Sequence, residues 1–278
     1  MQLNPTTFFG KRMHIIDVHA HTFFKHPDFS DIAKGNGADF SLEGLRKECA
    51  TNMVDFVGTI YNDFDGQTPI GVEEFVRQRQ QLPAMFGIGI VHPLRTKKDS
   101  LKKTEEAILD GTIKALKIYP GYYPVYCTDE RLHPYYRLAG KHDIPFYIHS
   151  GDTMGKGTLL KYARPLHVDE VAVAFPETNF IITQMGNPWL IDAAEVAYKN
   201  DNVYLDTAGL FSGMQFSEVY TKRLQYVVEY IDDPRKFLYG SDWPMVRMAD
   251  YIKFVKSVFP KDMHQKVFHD NARKLFRL

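Results

Sequence analysis

Residues 13–21 of this 278-residue chain read Met-His-Ile-Ile-Asp-Val-His-Ala-His, an apolar stretch that ends in two histidines separated by one residue. Alternate residues of a β-strand point to the same side, so His19 and His21 are predicted to present two imidazoles to one point. Two imidazoles at the end of a strand suit Zn²⁺ and similar divalent metal ions. The stretch therefore predicts a buried strand that leads into a metal site.

Short apolar segments rich in β-branched residues recur along the chain at intervals of roughly 30 residues, the length of a βα repeat. The eight predicted strands are residues 15–18, 56–60, 86–91, 115–118, 145–148, 180–183, 203–205 and 237–239. Helical patterns lie between them, with Ser or Asp as candidate N-caps. The predicted helices start near Ser41 and then cover residues 71–81, 99–109, 129–142, 167–175, 189–199, 216–230, 249–258 and 262–276.

Eight βα units in a chain of this length predict an α/β fold, a single-domain (β/α)₈ TIM-like barrel that spans residues 1–278. The alternative is an open, doubly wound sheet, which is expected to carry a glycine-rich phosphate-binding turn after its first strand. Here the first strand is followed by His-Ala-His, and no linker divides the chain. The barrel is therefore the favoured fold.

The composition indicates an ordinary globular protein that acts on a small molecule. Lys plus Arg and Asp plus Glu both number 34, so the chain lacks the basic field that nucleic-acid binding requires. The sequence shows neither a secretion signal nor a long apolar run, so we expect no membrane partner and a cytoplasmic location. Cys49 and Cys127 are too far apart for a CxxC motif and are predicted to be reduced packing residues. A homo-oligomer stays open, with Trp189 as a candidate interface residue.

Catalytic groups of a (β/α)₈ barrel lie at the carboxyl ends of its strands. Three imidazoles and one carboxylate from strands one, five and eight predict one divalent ion with a position left for water. Asp242 is expected to bind through one oxygen and to move the proton of the water with the other. The polar side chains at the strand ends are His19, His21, Lys117, His149, Gln184, Asp206 and Asp242.

Several motifs extend this pattern: Lys-Ile-Tyr-Pro after Leu116, Met-Gly-Asn-Pro-Trp from Met185, Gly-Ser-Asp-Trp-Pro from Gly240 and Asp-Asn-Ala-Arg-Lys-Leu-Phe from Asp270. As a set they resemble the amidohydrolase superfamily, over residues 14–276. The resemblance is greatest to the amidohydrolase 2 branch, which also holds aminocarboxymuconate semialdehyde decarboxylase and related nonoxidative decarboxylases. It implies a distorted TIM barrel and a centre of one or two Zn²⁺ or Mn²⁺ ions, with ligands at His19, His21, His149 and Asp242.

The chain departs from the family pattern at the end of strand six. Where the family has His-x-Gly, this sequence has Gln184-Met185-Gly186. Glutamine does not titrate and is a poor ligand for Zn²⁺, which leaves it a hydrogen bond to substrate or bound water. One ion, Zn²⁺ or alternatively Mn²⁺, is therefore predicted rather than two.

Two other strand ends leave alternatives open. Lys117 is predicted to be charged rather than carbamylated, either contacting an anionic substrate or pairing with a neighbouring carboxylate. Asp206 is predicted to be a turn residue rather than a partner of Thr207 or of a substrate amine. The loop after strand four, with tyrosines 119, 122, 123 and 126, forms either a substrate lid or ordinary packing.

Three functions follow from these patterns. The first is a metal-dependent hydrolase of a lactone, amide or ester, with Asp242, Gln184 and Lys117 as the catalytic residues. The second is a metal-dependent nonoxidative decarboxylase of an unsaturated or aromatic acid. The third is a noncatalytic barrel that binds a ligand, in which Gln184 marks the loss of activity.

Overall fold

The first strand, β1 (Ile15–His21), is buried along its whole length, as expected for a strand that is covered on both faces. The computed structural model describes residues 13–24, 26–63, 72–95, 98–210 and 218–278. Seven further strands follow β1: β2 (Val54–Asp63), β3 (Met85–Ile90), β4 (Ile113–Ile118), β5 (Phe146–Ile148), β6 (Phe180–Ile182), β7 (Val203–Asp206) and β8 (Phe237–Leu238). All eight predicted strands are present, although β2 is longer and β8 shorter than predicted.

The strands form one parallel sheet whose spatial order is the order of the sequence. Backbone hydrogen bonds beyond the end of β8 join it to β1: Val18 N–H donates to Tyr239 O over 2.9 Å, and His21 N–H donates to Trp243 O over 2.8 Å. Ala20 and Trp243 also form a parallel bridge. This closure confirms the predicted α/β class and single-domain (β/α)₈ barrel.

Helices cover the outside of the barrel. They are α1 (Pro27–Gly35), α2 (Leu42–Asn52), α3 (Val72–Gln81), α4 (Ser100–Leu109), α5 (His133–His142), α6 (Leu166–Ala174), α7 (Leu190–Lys199), α8 (Glu218–Ile231), α9 (Met248–Val258) and α10 (Asn271–Phe276). None of these described helices has the length and apolar composition that a bilayer crossing requires. The cytoplasmic location and the domain span of 1–278 stay predictions.

The helix boundaries differ from the prediction in a few places. The sequence pattern does not predict α1, a short helix that begins at a proline, where the missing N–H costs no hydrogen bond. The starts of the predicted helices 71–81 and 216–230 lie outside the described residues. The predicted helix 262–276 is interrupted by a π turn over Lys266–Asp270, within which Val267 O accepts a hydrogen bond from Tyr239 N.

Candidate metal centre

The carboxyl end of β1 brings His19 and His21 to the mouth of the barrel, where both are buried. Their imidazoles face Asp242 in the loop after β8. His21 Nε2 lies 2.9 Å and His19 Nε2 3.6 Å from Asp242 Oδ1. One ligand atom from each residue lies within 4.8 Å of the other two. The structure thus brings together three of the four residues that the sequence predicts as metal ligands.

The imidazole of His21 is in the protonation state that metal binding requires. Burial, which disfavours the charged ring, lowers the pKa of His21 to about 4 even though Asp242 acts in the opposite direction. The ring is therefore neutral at neutral pH. Its Nδ1 is buried and has no hydrogen-bond partner among the described residues.

His149, the fourth predicted ligand, lies at the same end of the barrel but outside this group. Its Nε2 is 3.0 Å from the backbone oxygen of Asp152, and its ring contacts those of Tyr119 and Tyr122, with centroids 5.8 and 5.1 Å away. Burial lowers the pKa of His149 to about 3, so this imidazole is also neutral. Its role as a ligand stays a prediction.

The four tyrosines of the loop after β4 pack in two different places. Tyr119 and Tyr122 face His149, as a wall of the site would. Tyr123 instead stacks on His92 with centroids 3.9 Å apart, and Tyr126 packs against Tyr162 and His167. A role of this loop as a substrate lid stays a prediction.

Asp206 at the end of β7 orients His19. Its Oδ2 lies 2.8 Å from His19 Nδ1, while Oδ1 accepts hydrogen bonds from the backbone N–H groups of Gln184 and Ala208 over 2.7 and 3.1 Å. A carboxylate at Nδ1 holds the proton there and leaves the lone pair of Nε2 for a metal ion. The hydrogen bond from Ala208 N–H agrees with the prediction that Asp206 is a turn residue. The contact of Asp206 with His19 is not predicted from the sequence. The position of Asp206 at the end of a strand is the sequence feature that could have indicated this contact.

Asp242 is held in an unusual backbone conformation that aims its carboxylate at the histidines. Its φ is 60°, in the left-handed region, and its N–H donates to His19 O over 2.8 Å. Burial raises the pKa of the carboxyl. The hydrogen bond from His21 and the charges of the histidines and Lys117 outweigh this effect and hold the pKa well below its usual range. Asp242 is thus a carboxylate, as a metal ligand must be.

Gly209 allows Gln184 and Asp242 to approach each other. A Cβ added at Gly209 would lie 2.4 Å from Gln184 Nε2 and 2.9 Å from Asp242 Oδ2, and the φ of Gly209 is +62°. Both the conformation and the space therefore require glycine at this position.

Gly209→Ala is expected to lower the free energy of unfolding by about 2 kcal/mol, part from backbone strain and part from the clash. Gly37→Ala is the matched control, because Gly37 has a similar φ of +67° and nothing within 4 Å of an added Cβ. Its expected cost is about 1 kcal/mol. Urea unfolding of both variants measures the difference, and equal costs would show that the contacts at Gly209 are unimportant.

Gln184 has a left-handed φ of 60°, and its side chain lies against Gly209 beside Asp242. Its Oε1 is buried and has no hydrogen-bond partner in the described part of the chain. A buried carbonyl oxygen without a partner costs free energy unless a bound molecule donates to it. The placement is compatible with the predicted hydrogen bond to substrate or water.

Lys117 is fully buried at the end of β4, where its Nζ lies 3.0 Å from His19 Nε2 and 4.6 Å from the centroid of Tyr119. Burial lowers the pKa of Lys117 to about 8, although Asp206 and Asp242 act to raise it. No described carboxylate lies within 4.0 Å of Nζ. The alternative of a lysine paired with a carboxylate is therefore not what the described residues show.

These residues fit a divalent metal ion. The donor set combines two imidazoles with an ionised carboxylate, a combination common at Zn²⁺ and Mn²⁺ sites. Asp206 holds the ring of His19 through Nδ1, the nitrogen that does not face the ion, and metal-binding histidines usually have such a partner. His19, His21 and Asp242 would hold the ion.

A parallel barrel whose strand ends gather two histidines and an aspartate is an architecture of metal-dependent enzymes. The family model described as amidohydrolase, the amidohydrolase 2 type, matches residues 16–278, and the chain belongs to this family. The resemblance drawn from the strand-end motifs is thereby confirmed. Members of the family are metal-dependent hydrolases or decarboxylases, and the chain is an enzyme of this type. No curated protein sequence matches the chain at a significant level.

Solved structures share the fold at low sequence identity. An uncharacterised TIM-barrel protein from Bordetella bronchiseptica is 19% identical with a TM-score of 0.77, over 95% of this chain and 99% of that one. A probable 2-pyrone-4,6-dicarboxylic acid hydrolase from Acinetobacter baumannii, with citric acid bound, is 16% identical with a TM-score of 0.67, over 96% and 100%. The 5-carboxyvanillate decarboxylase from Novosphingobium aromaticivorans, complexed with manganese and a nitrobenzoic acid, is 17% identical with a TM-score of 0.67, over 92% and 86%.

Proposed function

We propose that this chain hydrolyses a small carbonyl compound, such as a lactone, an amide or an ester, with a water molecule activated by one divalent metal ion. The observation that carries the proposal is the group of His19, His21 and Asp242 at the barrel mouth. Three ligands leave coordination positions for water and substrate, whereas a structural metal site is closed by four. His149 is the candidate for a further ligand.

Zn²⁺ is the ion that we favour, with Mn²⁺ as the alternative that the manganese in the decarboxylase from Novosphingobium supports. A bound ion of this kind lowers the pKa of a water ligand towards neutrality and polarises a carbonyl oxygen. The remaining tasks fall to the side chains around it.

Asp242 is the residue that we propose moves the proton. Its Oδ1 faces His21, whereas its Oδ2 lies beside Gly209 on the side of Gln184. Because the two oxygens face different groups, one is available to the ion and the other to the proton of the attacking water. We propose that Gln184, whose side chain lies beside Asp242 and whose Oε1 has no described partner, accepts a hydrogen bond from the water or from the substrate.

Lys117 is proposed to contact negative charge on the substrate. A buried ammonium without a nearby carboxylate is unfavourable, and an anionic group bound beside it offsets that cost. The same ammonium donates to the lone pair of His19 Nε2, which metal binding requires. We therefore infer that Lys117 turns away from His19 when the ion binds.

Lys117→Met is expected to strengthen metal binding about tenfold, because removing a positive charge close to the ligands removes a repulsion. It is also expected to raise the KM of an anionic substrate. Competition with a fluorescent chelator measures the first effect and steady-state kinetics the second. Weaker metal binding in Lys117→Met would instead indicate a carbamylated lysine that binds metal, and would refute the charged Lys117.

A nonoxidative decarboxylase is the second candidate. It is supported by the decarboxylase among the structural neighbours and by the Lys117 cation, which lies beside the ring of Tyr119, itself in contact with the ring of Tyr122. That combination suits the carboxylate and the ring of an aromatic acid. The metal site and Asp242 would serve both reactions.

A parallel screen of lactones, amides, esters and aromatic acids, with hydrolysis and CO₂ release followed together, separates the two candidates. Hydrolysis without CO₂ release supports the proposal, whereas CO₂ release from an aromatic acid favours the second candidate. Elemental analysis of protein expressed with added metal provides the independent readout. About one ion per chain is expected, with Gln184→His as the comparison. Two ions in the wild-type chain would contradict the single-ion site, and none would favour the noncatalytic barrel.

A further inference from the structure

Three consecutive helices expose apolar side chains on one side of the barrel. Each of α6, α7 and α8 carries a pair seven residues apart, and residues seven apart lie along one line of a helix. The pairs are Leu166 and Val173, Ile191 and Tyr198, and Val219 and Tyr226, with side chains between 48% and 61% exposed. Because α7 packs against both α6 and α8, the three lines are neighbours. We call this surface the α6–α8 face.

Aromatic contacts make the α6–α8 face continuous between α7 and α8. The ring of Tyr230, itself 40% exposed, lies 5.8 Å from that of Tyr198 and 6.2 Å from that of Tyr226. At the end of α7 nearer the metal centre, a groove of about 650 Å³ runs between the two helices, lined by Trp189 and Val219 among others. The α6–α8 face thus has both protruding tyrosine rings and a groove.

Several charged groups on the face have partners within the chain. Arg164 pairs with Asp192 over 2.7 Å, and Lys199 pairs with Asp169 over 2.7 Å. The hydroxyl of Tyr230 donates to Glu195. These paired charges leave the apolar side chains as the main groups for a partner to contact, and an apolar surface of this kind matches its own copy.

We propose that the α6–α8 face binds a second copy of this chain about a twofold axis. Three of the seven residues are tyrosines, whose aromatic side chains carry ~150–250 Å² each, and at about half exposure the seven together offer roughly 600 Å² of surface. That area approaches the ~800 Å² that each partner contributes to a standard interface. Contiguous apolar patches of this size on soluble proteins mark interaction sites. The proposal is independent of the reaction that the metal centre performs.

The test is the mass of the purified full-length chain in solution, measured by light scattering and sedimentation over a range of concentrations. We expect a dimer, and we expect Tyr226→Glu to raise its dissociation constant by at least about tenfold, because the introduced charge would be buried against the partner. Leu109→Glu is the matched control: Leu109 is 69% exposed on α4, outside the face, and its variant should remain dimeric. Circular dichroism confirms that both variants are folded.

Tyr226→Cys gives a second readout that does not depend on a buried charge. Cys49 and Cys127 are both buried, so a new surface cysteine has little competition. Mild oxidation should cross-link Tyr226→Cys but not Leu109→Cys into a covalent dimer. A wild-type monomer at all concentrations, or an assembly that Tyr226→Glu leaves intact, would overturn the proposal. Either result would mean that another partner, or nothing, covers the α6–α8 face.

Discussion

Asp242→Asn is expected to lower kcat by at least about 10³-fold while weakening metal binding by about tenfold or less. The amide keeps an oxygen that can face His21 and the ion, so the metal site survives in large part. It cannot accept a proton at neutral pH, so the proton of the attacking water has no acceptor. Decarboxylation has no attacking water, but it needs a proton delivered to the carbon that loses CO₂, and an amide cannot carry that proton either, so the prediction holds for either reaction.

The experiment combines steady-state kinetics on the best substrate of the screen with a metal titration of the same preparation. Asp262→Asn is the control, because Asp262 is exposed and follows the far end of α9. It should retain wild-type kcat within about twofold. Full activity in Asp242→Asn would refute the role of Asp242 in both mechanisms. Loss of metal in proportion to loss of activity would make Asp242 a ligand and nothing more.

Asp206→Asn should weaken metal binding by about 10–100-fold, although Asp206 does not touch the proposed ion. Its Oδ1 can still accept from Gln184 N–H and Ala208 N–H. The amide nitrogen in place of Oδ2 would then meet the N–H of His19 Nδ1, so the ring must move its proton to Nε2 or turn away. A proton on Nε2 blocks the lone pair that binds the ion. Isothermal titration with Zn²⁺ or Mn²⁺ measures the effect.

Asp17→Asn is the matched control for Asp206→Asn, since both residues are buried aspartates that contact His19. Asp17 Oδ1 accepts from the backbone N–H groups of His19 and Ser241 rather than from the imidazole. The amide oxygen can keep both bonds, so metal affinity should change less than about threefold. Similar losses in the two variants would mean that burial of a carboxylate near β1, rather than the orientation of the imidazole, matters for binding.

The barrel could be predicted from the sequence because its signals are local. Apolar runs such as residues 86–91 and 180–183 read as buried strands without reference to the rest of the chain, and each strand end is adjacent in sequence to its polar residue. The loop end of a parallel barrel then brings these residues to one place. His19, His21 and Asp242 were found in this way, although 221 positions separate His21 from Asp242.

The connections among these side chains could not be predicted in the same way, because they depend on distances across the barrel. Nothing near Asp206 in sequence indicates that its second oxygen meets the ring of His19. The contact of Lys117 with His19 Nε2 depends equally on how two distant strands face each other. Gly209 reads as an ordinary loop glycine until the side chains of Gln184 and Asp242 are placed beside it.

The hydrogen bonds that close the barrel between the first and last strands are made by residues of the metal site. Asp242 N–H donates to His19 O, and His21 N–H donates to Trp243 O, so the backbones of all three proposed ligands, together with Trp243, also hold the barrel closed. Opening this seam would separate the side chains of the site in the same motion. Because these bonds use backbone atoms alone, the side chains of the site could be replaced without opening the barrel, whereas an opened barrel could not keep the site.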